Sequence, residues 1–261
     1  MLDFATPEVF RMYKQWEMTI PQLSGKEKRR IHLYLPKAYE EDPQARFPVM
    51  YMFDGQNVFL DQEASFGKSW GMYQYMNNAQ TQLIIVGVEC SKTSRMAEYS
   101  PFTHDNGMNG ERVYARGRTY MNWLTGVLKP MIDRKYRTLP DRENTIIAGS
   151  SMGGLMSLYA ALNYNHVFSR AACLSASLWV HPGKVMHMIR SAQISPDTCI
   201  YLDYGTEEIS NHPENPKVLF DACQALLYQG VNLAFRIVPG GSPCEASWEK
   251  QVPVFMKCLG F

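Results

Sequence analysis

NTIIAGSSMGGLMSLYAA, residues 144–161, is the stretch whose reading decides the fold. Thr145, Ile146 and Ile147 form the β-branched run of a parallel strand covered on both faces, and Leu155, Met156, Leu158 and Tyr159 recur at helical spacing. Only a tight turn fits between them. Gly149-Ser150-Ser151-Met152-Gly153 matches G-x-S-x-G, the strand-to-helix elbow that lifts a strained serine above the strand ends. Glycine stands two residues either side because strand and helix approach so closely that a Cβ would collide, and small residues at Ala148 and Ser150 suit the same crowding. Ser151 is the candidate nucleophile. A plain Gly-Ser loop is the alternative, and the strand before it and the unbroken helix after it argue for the elbow.

Working outward, 261 residues with 46% hydrophobic content and no composition break predict a single α/β domain over 1–261. A formal net charge of +1 leaves no electrostatic footprint for nucleic acid or an anionic membrane, and favours a small, weakly charged substrate. Cys90, Cys173, Cys199, Cys223, Cys244 and Cys258 lack CxxC spacing, so neither a disulfide framework nor a zinc site is indicated. The N-terminal residues lack a signal-peptide pattern and no segment reaches membrane-span length, so a cytoplasmic location is expected. A homo-oligomer is compatible with this composition.

Before the elbow, Trp16 to Ile20 and Ile31 to Leu35 alternate apolar and polar residues around GKEKRR and predict an antiparallel edge hairpin within 1–35. Strands follow at 48–55 and 83–89, with a short helix near Trp70 to Met76 between them. Residues 90–117 predict a long irregular loop or lid, and a long amphipathic helix is expected from about Glu111 to Arg134. After the elbow, strands at 171–177, 199–205 and 233–241 alternate with helices at His181 to Arg190, Lys217 to Gln229 and Glu245 to Leu259. Strands alternating with helices predict a mostly parallel sheet with helices on both faces, binding ligands beyond the carboxyl ends of its strands.

A serine nucleophile needs a base, an acid to orient it and donors for the oxyanion, in the chain order serine, acid, histidine. Gly205-Thr206-Glu207-Glu208 follows a strand on the correct edge, with Asp203 inside the strand end; Glu208 is the favoured acid, ordinary solvated charges the alternative. Met152 N–H at the start of the elbow helix and Gln56 N–H after PVMYMFDG are the expected oxyanion donors. Asp54 and Gly55 fall beside them and are expected to contact the substrate, with a plain turn as the alternative. Trp70, Tyr99, Phe102 and Trp179 lie near loops of the expected active edge, as aromatic walls or as core.

YMFDGQNVF, RMAEYSPF at 95–102, GSSMGG, LDYGTEE and EASWEKQVPVFM together resemble an esterase family of α/β hydrolases. That family includes esterase D-type S-formylglutathione hydrolases, feruloyl and acetylxylan esterases and enterobactin-type siderophore esterases. The resemblance runs from about Trp16 onward and implies the α/β-hydrolase fold, Ser151 as nucleophile, Glu208 as acid, and no metal or organic cofactor. It also implies a base histidine in a Gly-Gly-x-His segment. This chain reads Gly240-Gly241-Ser242-Pro243-Cys244, so Pro243 occupies the base position with a side chain that cannot accept a proton.

His212, His181 and His104 are the candidates for a substitute base, each with a surface role as the alternative. Two readings follow. One is a serine carboxylic-ester hydrolase of reduced activity acting on small esters, with feruloyl or acetyl sugar esters favoured and a siderophore ester the alternative. The other is an esterase-like protein that binds a small ester or sugar ligand without turnover.

Overall fold

The computed structural model describes residues 12–105, 110–208 and 215–261. Its strands are β1 (Tyr13–Thr19), β2 (Lys28–Tyr34), β3 (Val49–Phe53), β4 (Ile84–Val88), β5 (His104–Asp105), β6 (Arg112–Val113), β7 (Thr145–Ser150), β8 (Arg170–Leu174), β9 (Cys199–Gly205) and β10 (Asn232–Val238). Eight of them form one sheet in the order β1-β2-β4-β3-β7-β8-β9-β10, while β5 and β6 pair separately. From β4 to β10 every pairing is parallel. The β1–β2 hairpin joins antiparallel at one edge, as its alternating pattern predicts.

The longer helices among the described residues are α1 (Met72–Ala79), α2 (Gly117–Trp123), α3 (Lys129–Lys135), α4 (Met152–Asn163), α5 (Pro182–Ser191), α6 (Asn215–Tyr228) and α7 (Glu245–Cys258). Period-two alternation sends Val49, Tyr51 and Phe53 of β3 to one face, where they pack with α2, α4, α5 and α6. Met50 and Met52 go to the other face, against α1 and α7. The chain thus forms the α/β-hydrolase fold, a mostly parallel sheet covered on both sides. Among the described residues no helix is long and apolar enough to cross a membrane.

Two elements differ from the sequence reading. The helix expected from about Glu111 starts at Gly117, because Arg112 and Val113 pair with Asp105 and His104. It also passes through a wider π turn at Leu124–Leu128 before α3. Pro130 near the start of α3 has no N–H to donate back into the preceding turn, which accounts for the local widening. Within 90–117, a helical turn at Arg95–Glu98 is pinned by a buried bidentate pair between Glu98 and Arg29 of β2.

Candidate active site

Ser151 links β7 to α4 with φ 52° and ψ −119°, a conformation that costs a non-glycine residue about 1–3 kcal/mol. Neighbouring bonds hold it there. Ser151 N donates to Leu174 O at 2.9 Å, and Ser177 N donates to Ser151 O at 3.1 Å, fixing the elbow to the end of β8. A Cβ at Gly149 would lie 2.7 Å from the Gly153 carbonyl carbon, and one at Gly153 would lie 3.0 Å from Phe53 Cβ. Ser151 Oγ, half-buried, has Ser177 Oγ at 3.2 Å.

Met152 opens α4, so its N–H has no acceptor within the helix and sits at the positive end of the helix dipole. The second expected donor lies after β3. Asp54 turns the chain with φ 54°, and the 3-10 turn Gly55–Asn57 follows, its bonding beginning with Asn57 N to Asp54 O at 2.8 Å. The Gln56 N–H precedes that first bond. Gln56 is also tethered by its side chain, whose Oε1 accepts from Cys90 N at 3.2 Å and whose Nε2 donates to Cys90 Sγ at 3.3 Å.

Asp54 and Gly55 shape this loop from below. The Asp54 carboxylate takes a bidentate pair from Arg95, Nε to Oδ1 and Nη2 to Oδ2, both 2.7 Å, and Asp54 N donates to Tyr99 Oη at 3.1 Å. Gly55 is pressed on β4, where a Cβ would lie 2.6 Å from the Gly87 carbonyl carbon. Expected as ligand contacts, both are engaged with protein instead.

Glu208 ends the 3-10 turn Thr206–Glu208 after β9 and is buried, not a solvated loop charge. Its Oε1 accepts from Ser175 Oγ at 2.6 Å and from Gly205 N at 2.9 Å, while Trp248 Nε1 donates to the same Ser175 Oγ at 2.9 Å. Asp203 lies alongside, 2% exposed, accepting from Ser175 N and Tyr201 Oη, both at 2.9 Å. Burial pushes the Asp203 carboxyl up to about 7 against the pull of those bonds, and the neighbouring Glu208 adds to the rise.

The folded protein therefore keeps a proton on Asp203 that the unfolded chain releases near about pH 3.9. This contribution to stability is full below that pH and is lost as pH rises toward 7. Asp203→Asn should accordingly gain Tm relative to the unaltered chain as pH climbs from 4 to 7. A Tm difference that stays flat across that range would show that Asp203 does not titrate there.

The loop after β10 lies on the acid turn. Glu207 N donates to Gly241 O and Gly240 N to Thr206 Oγ1, both at 2.9 Å, and a Cβ on Gly205 would stand 2.2 Å from Gly241 O. Pro243 is exposed two residues further on. His181 caps α5, its Nδ1 accepting from Lys184 N at 3.4 Å, and His104 is buried with its Nδ1 3.0 Å from Phe102 O. His212 falls outside the described residues. Among the described residues no histidine hydrogen-bonds to Ser151 or Glu208, whose side-chain partners are Ser177, Ser175 and the Gly205 amide.

The aromatic residues divide. Trp179, in the turn after Ser177, and Phe102 are half-buried. Trp70 packs on the far side of the sheet with ring centroids 6.0 Å from Trp248 and 6.2 Å from Phe255. Tyr99 is fully enclosed between Phe53 and Tyr120. Both belong to the core, Trp70 at 3% exposure and Tyr99 fully buried with the Arg95 guanidinium 5.1 Å from its ring centroid. Ser175, Ser177, Arg95 and Trp248 were not singled out from the sequence. The LSAS stretch at Leu174–Ser177, with serines two apart just past the end of β8, is the signal that could have found the first two.

A family model described as "Putative esterase" matches residues 24–248. Ferri-bacillibactin esterase BesA of Bacillus subtilis (strain 168) is 23% identical over 248 residues, 88% of this chain and 82% of that protein. An IroE-like serine hydrolase from Shewanella oneidensis superposes with a TM-score of 0.75 at 17% identity, covering 95% of this chain and 79% of its own. A ferulic acid esterase gives a TM-score of 0.68 at 18% identity, covering 95% of this chain and 98% of its own. At these identities the two solved structures share the fold with this chain.

Proposed function

Because the chain belongs to the "Putative esterase" family, whose model spans residues 24–248, we propose that it is a serine carboxylic-ester hydrolase running slowly for want of its base. The strained elbow carries this reading, since such backbone at Ser151 is the means by which a serine is presented to a substrate carbonyl. Ser151 Oγ attacks the ester carbon, the Met152 and Gln56 amides receive the oxyanion, the alcohol departs with the proton that Ser151 gives up, and water then cleaves the acyl-enzyme, releasing the acid and returning a proton to Oγ. The Ser151 proton has a neutral hydroxyl, Ser177 Oγ, as its side-chain neighbour. A hydroxyl is a poor acceptor at neutral pH, so acylation is the slowed step.

Small esters remain the favoured substrates. Half-buried Trp179 and Phe102 suit an aromatic acyl group, which supports feruloyl sugar esters alongside acetylated ones. Likeness to a ferri-bacillibactin esterase and an IroE-like hydrolase raises a siderophore ester to the same rank. Pro243 favours a second reading, a binding protein that holds such an ester intact. The test is mass spectrometry of the chain incubated with methyl ferulate, an acetylated xylo-oligosaccharide and bacillibactin. A covalent acyl adduct on Ser151, or free acid released in proportion to enzyme, is expected for one of the three. Saturable binding by calorimetry with no adduct and no product would give the binding reading the lead.

A further inference from the structure

Five of the eight exposed large hydrophobic side chains among the described residues, Phe220, Leu227, Tyr228, Phe235 and Ile237, fall on α6 or β10. They share one corner of the fold. β10 is the outer strand of the sheet and, among the described residues, pairs only with β9, which leaves one side of its backbone ladder open. Leu233 packs on the core cluster that contains the buried face of α6, and the strand's period of two puts Phe235 and Ile237 on that same side. Gln229, one residue past α6, donates to Arg190 O of α5, which fixes the inward flank of the helix. Phe220 and Leu227 lie on the opposite flank by helical spacing, over the open edge.

Soluble proteins blunt such an edge with lysine, proline or a bulge. β10, NLAFRIV, has neither lysine nor proline, carries a single exposed charge at Arg236, and keeps an unbroken register with β9 from Asn232 to Val238. The opposite edge strand, β1, carries two exposed charges, Lys14 and Glu17. An open strand edge is completed by another strand, and this one is complementary to itself. An antiparallel copy centred on Phe235 pairs all seven residues, setting Leu233 against Ile237 and Arg236 against Ala234, so no like charges oppose. Centring on Arg236 would oppose two arginines.

We propose that β10 is the interface of a twofold homodimer, in which two sheets join edge to edge through this strand while Phe220 and Leu227 close over the seam. Such an interface is isologous, with each residue meeting its own kind or its pair across the axis.

Analytical ultracentrifugation at tens of micromolar tests it. The unaltered chain should sediment with twice the 29.9 kDa chain mass. Phe235→Lys combined with Ile237→Lys should give single-chain mass with an unchanged circular dichroism spectrum, while Phe66→Lys, at an exposed apolar residue elsewhere, should leave the dimer intact. Phe235→Cys provides an independent readout, because directly opposed Cα atoms in antiparallel strands lie about 4.5–5.5 Å apart, within disulfide range. Oxidation should join two position-235 peptides, identifiable by mass spectrometry. A monomeric unaltered chain, a dimer that survives the double lysine change, or oxidised dimers without that crosslink would each overturn the proposal.

Discussion

Replacing Pro243 with histidine is expected to raise turnover of an activated aryl acetate by about 10²–10⁴-fold, the usual contribution of a positioned general base. The expectation rests on how little else must change. The loop is already seated on the acid turn through Gly241 O and Gly240 N, and Glu208 is already buried and oriented by Ser175 and Gly205 N. On the proposed assignment, an imidazole at position 243 would find Glu208 in place to orient it, with the Met152 and Gln56 amides unaltered. The gain should appear in kcat, should rise with pH through the ordinary histidine range near about 6.5, and should vanish when Ser151→Ala is added. A Pro243→His chain no faster than its parent would overturn the proposal that a missing base slows this chain. A parent already fast and dependent on Ser151 would require another group as base.

The second large effect is on stability. Glu98→Ala should destabilise the fold by about 3–5 kcal/mol, because it strands a buried guanidinium without its counter-charge. Arg29 is 1% exposed and Glu98 fully buried; Nη1 and Nη2 of Arg29 each donate to a Glu98 oxygen at 2.6 Å, and Ser24 Oγ takes one further bond. For a chain of this size that loss corresponds to a Tm drop of roughly 6–20 °C. Exchanging both partners for apolar residues, as in Arg29→Met with Glu98→Leu, should recover much of it, since the cost lies in the orphaned charge. Thermal unfolding of the three variants reads this directly. A single Glu98→Ala change that moves Tm by less than a degree would show that water reaches Arg29 freely.

The same helical turn shows where sequence reading stopped. RMAEYSPF was recognisable as a segment, yet its parts do different jobs: Arg95 clamps Asp54, Glu98 holds Arg29, and Tyr99 accepts from the Asp54 amide. Those partners lie some 40 to 70 positions away in sequence, and no local periodicity reports them. The elbow was legible because its demands are local, glycine against glycine within five residues. Pro243 was singled out through the family resemblance, from the Gly-Gly-x-His segment it implies, and not from any local demand of the loop. Trp70 and Tyr99 were not legible, since a large ring near a loop has the same local signature whether it faces solvent or is enclosed by Trp248 or Tyr120. Ser175 acquires its importance from Glu208 and Trp248, which arrive from two later elements.

The sheet order also bears on how the chain is made. β3 lies between β4 and β7, and Val49 finds its second neighbour only at Thr145. On a ribosome adding about 5–20 residues per second, the apolar edge of VMYMF waits on the order of ten seconds for that neighbour to emerge. During this interval the nascent chain holds an open strand that another chain could capture. Slower synthesis lengthens the wait, and a factor shielding residues 49–53 would shorten the exposure. The yield of soluble protein should therefore depend on events before residue 150 is translated, well before the site exists.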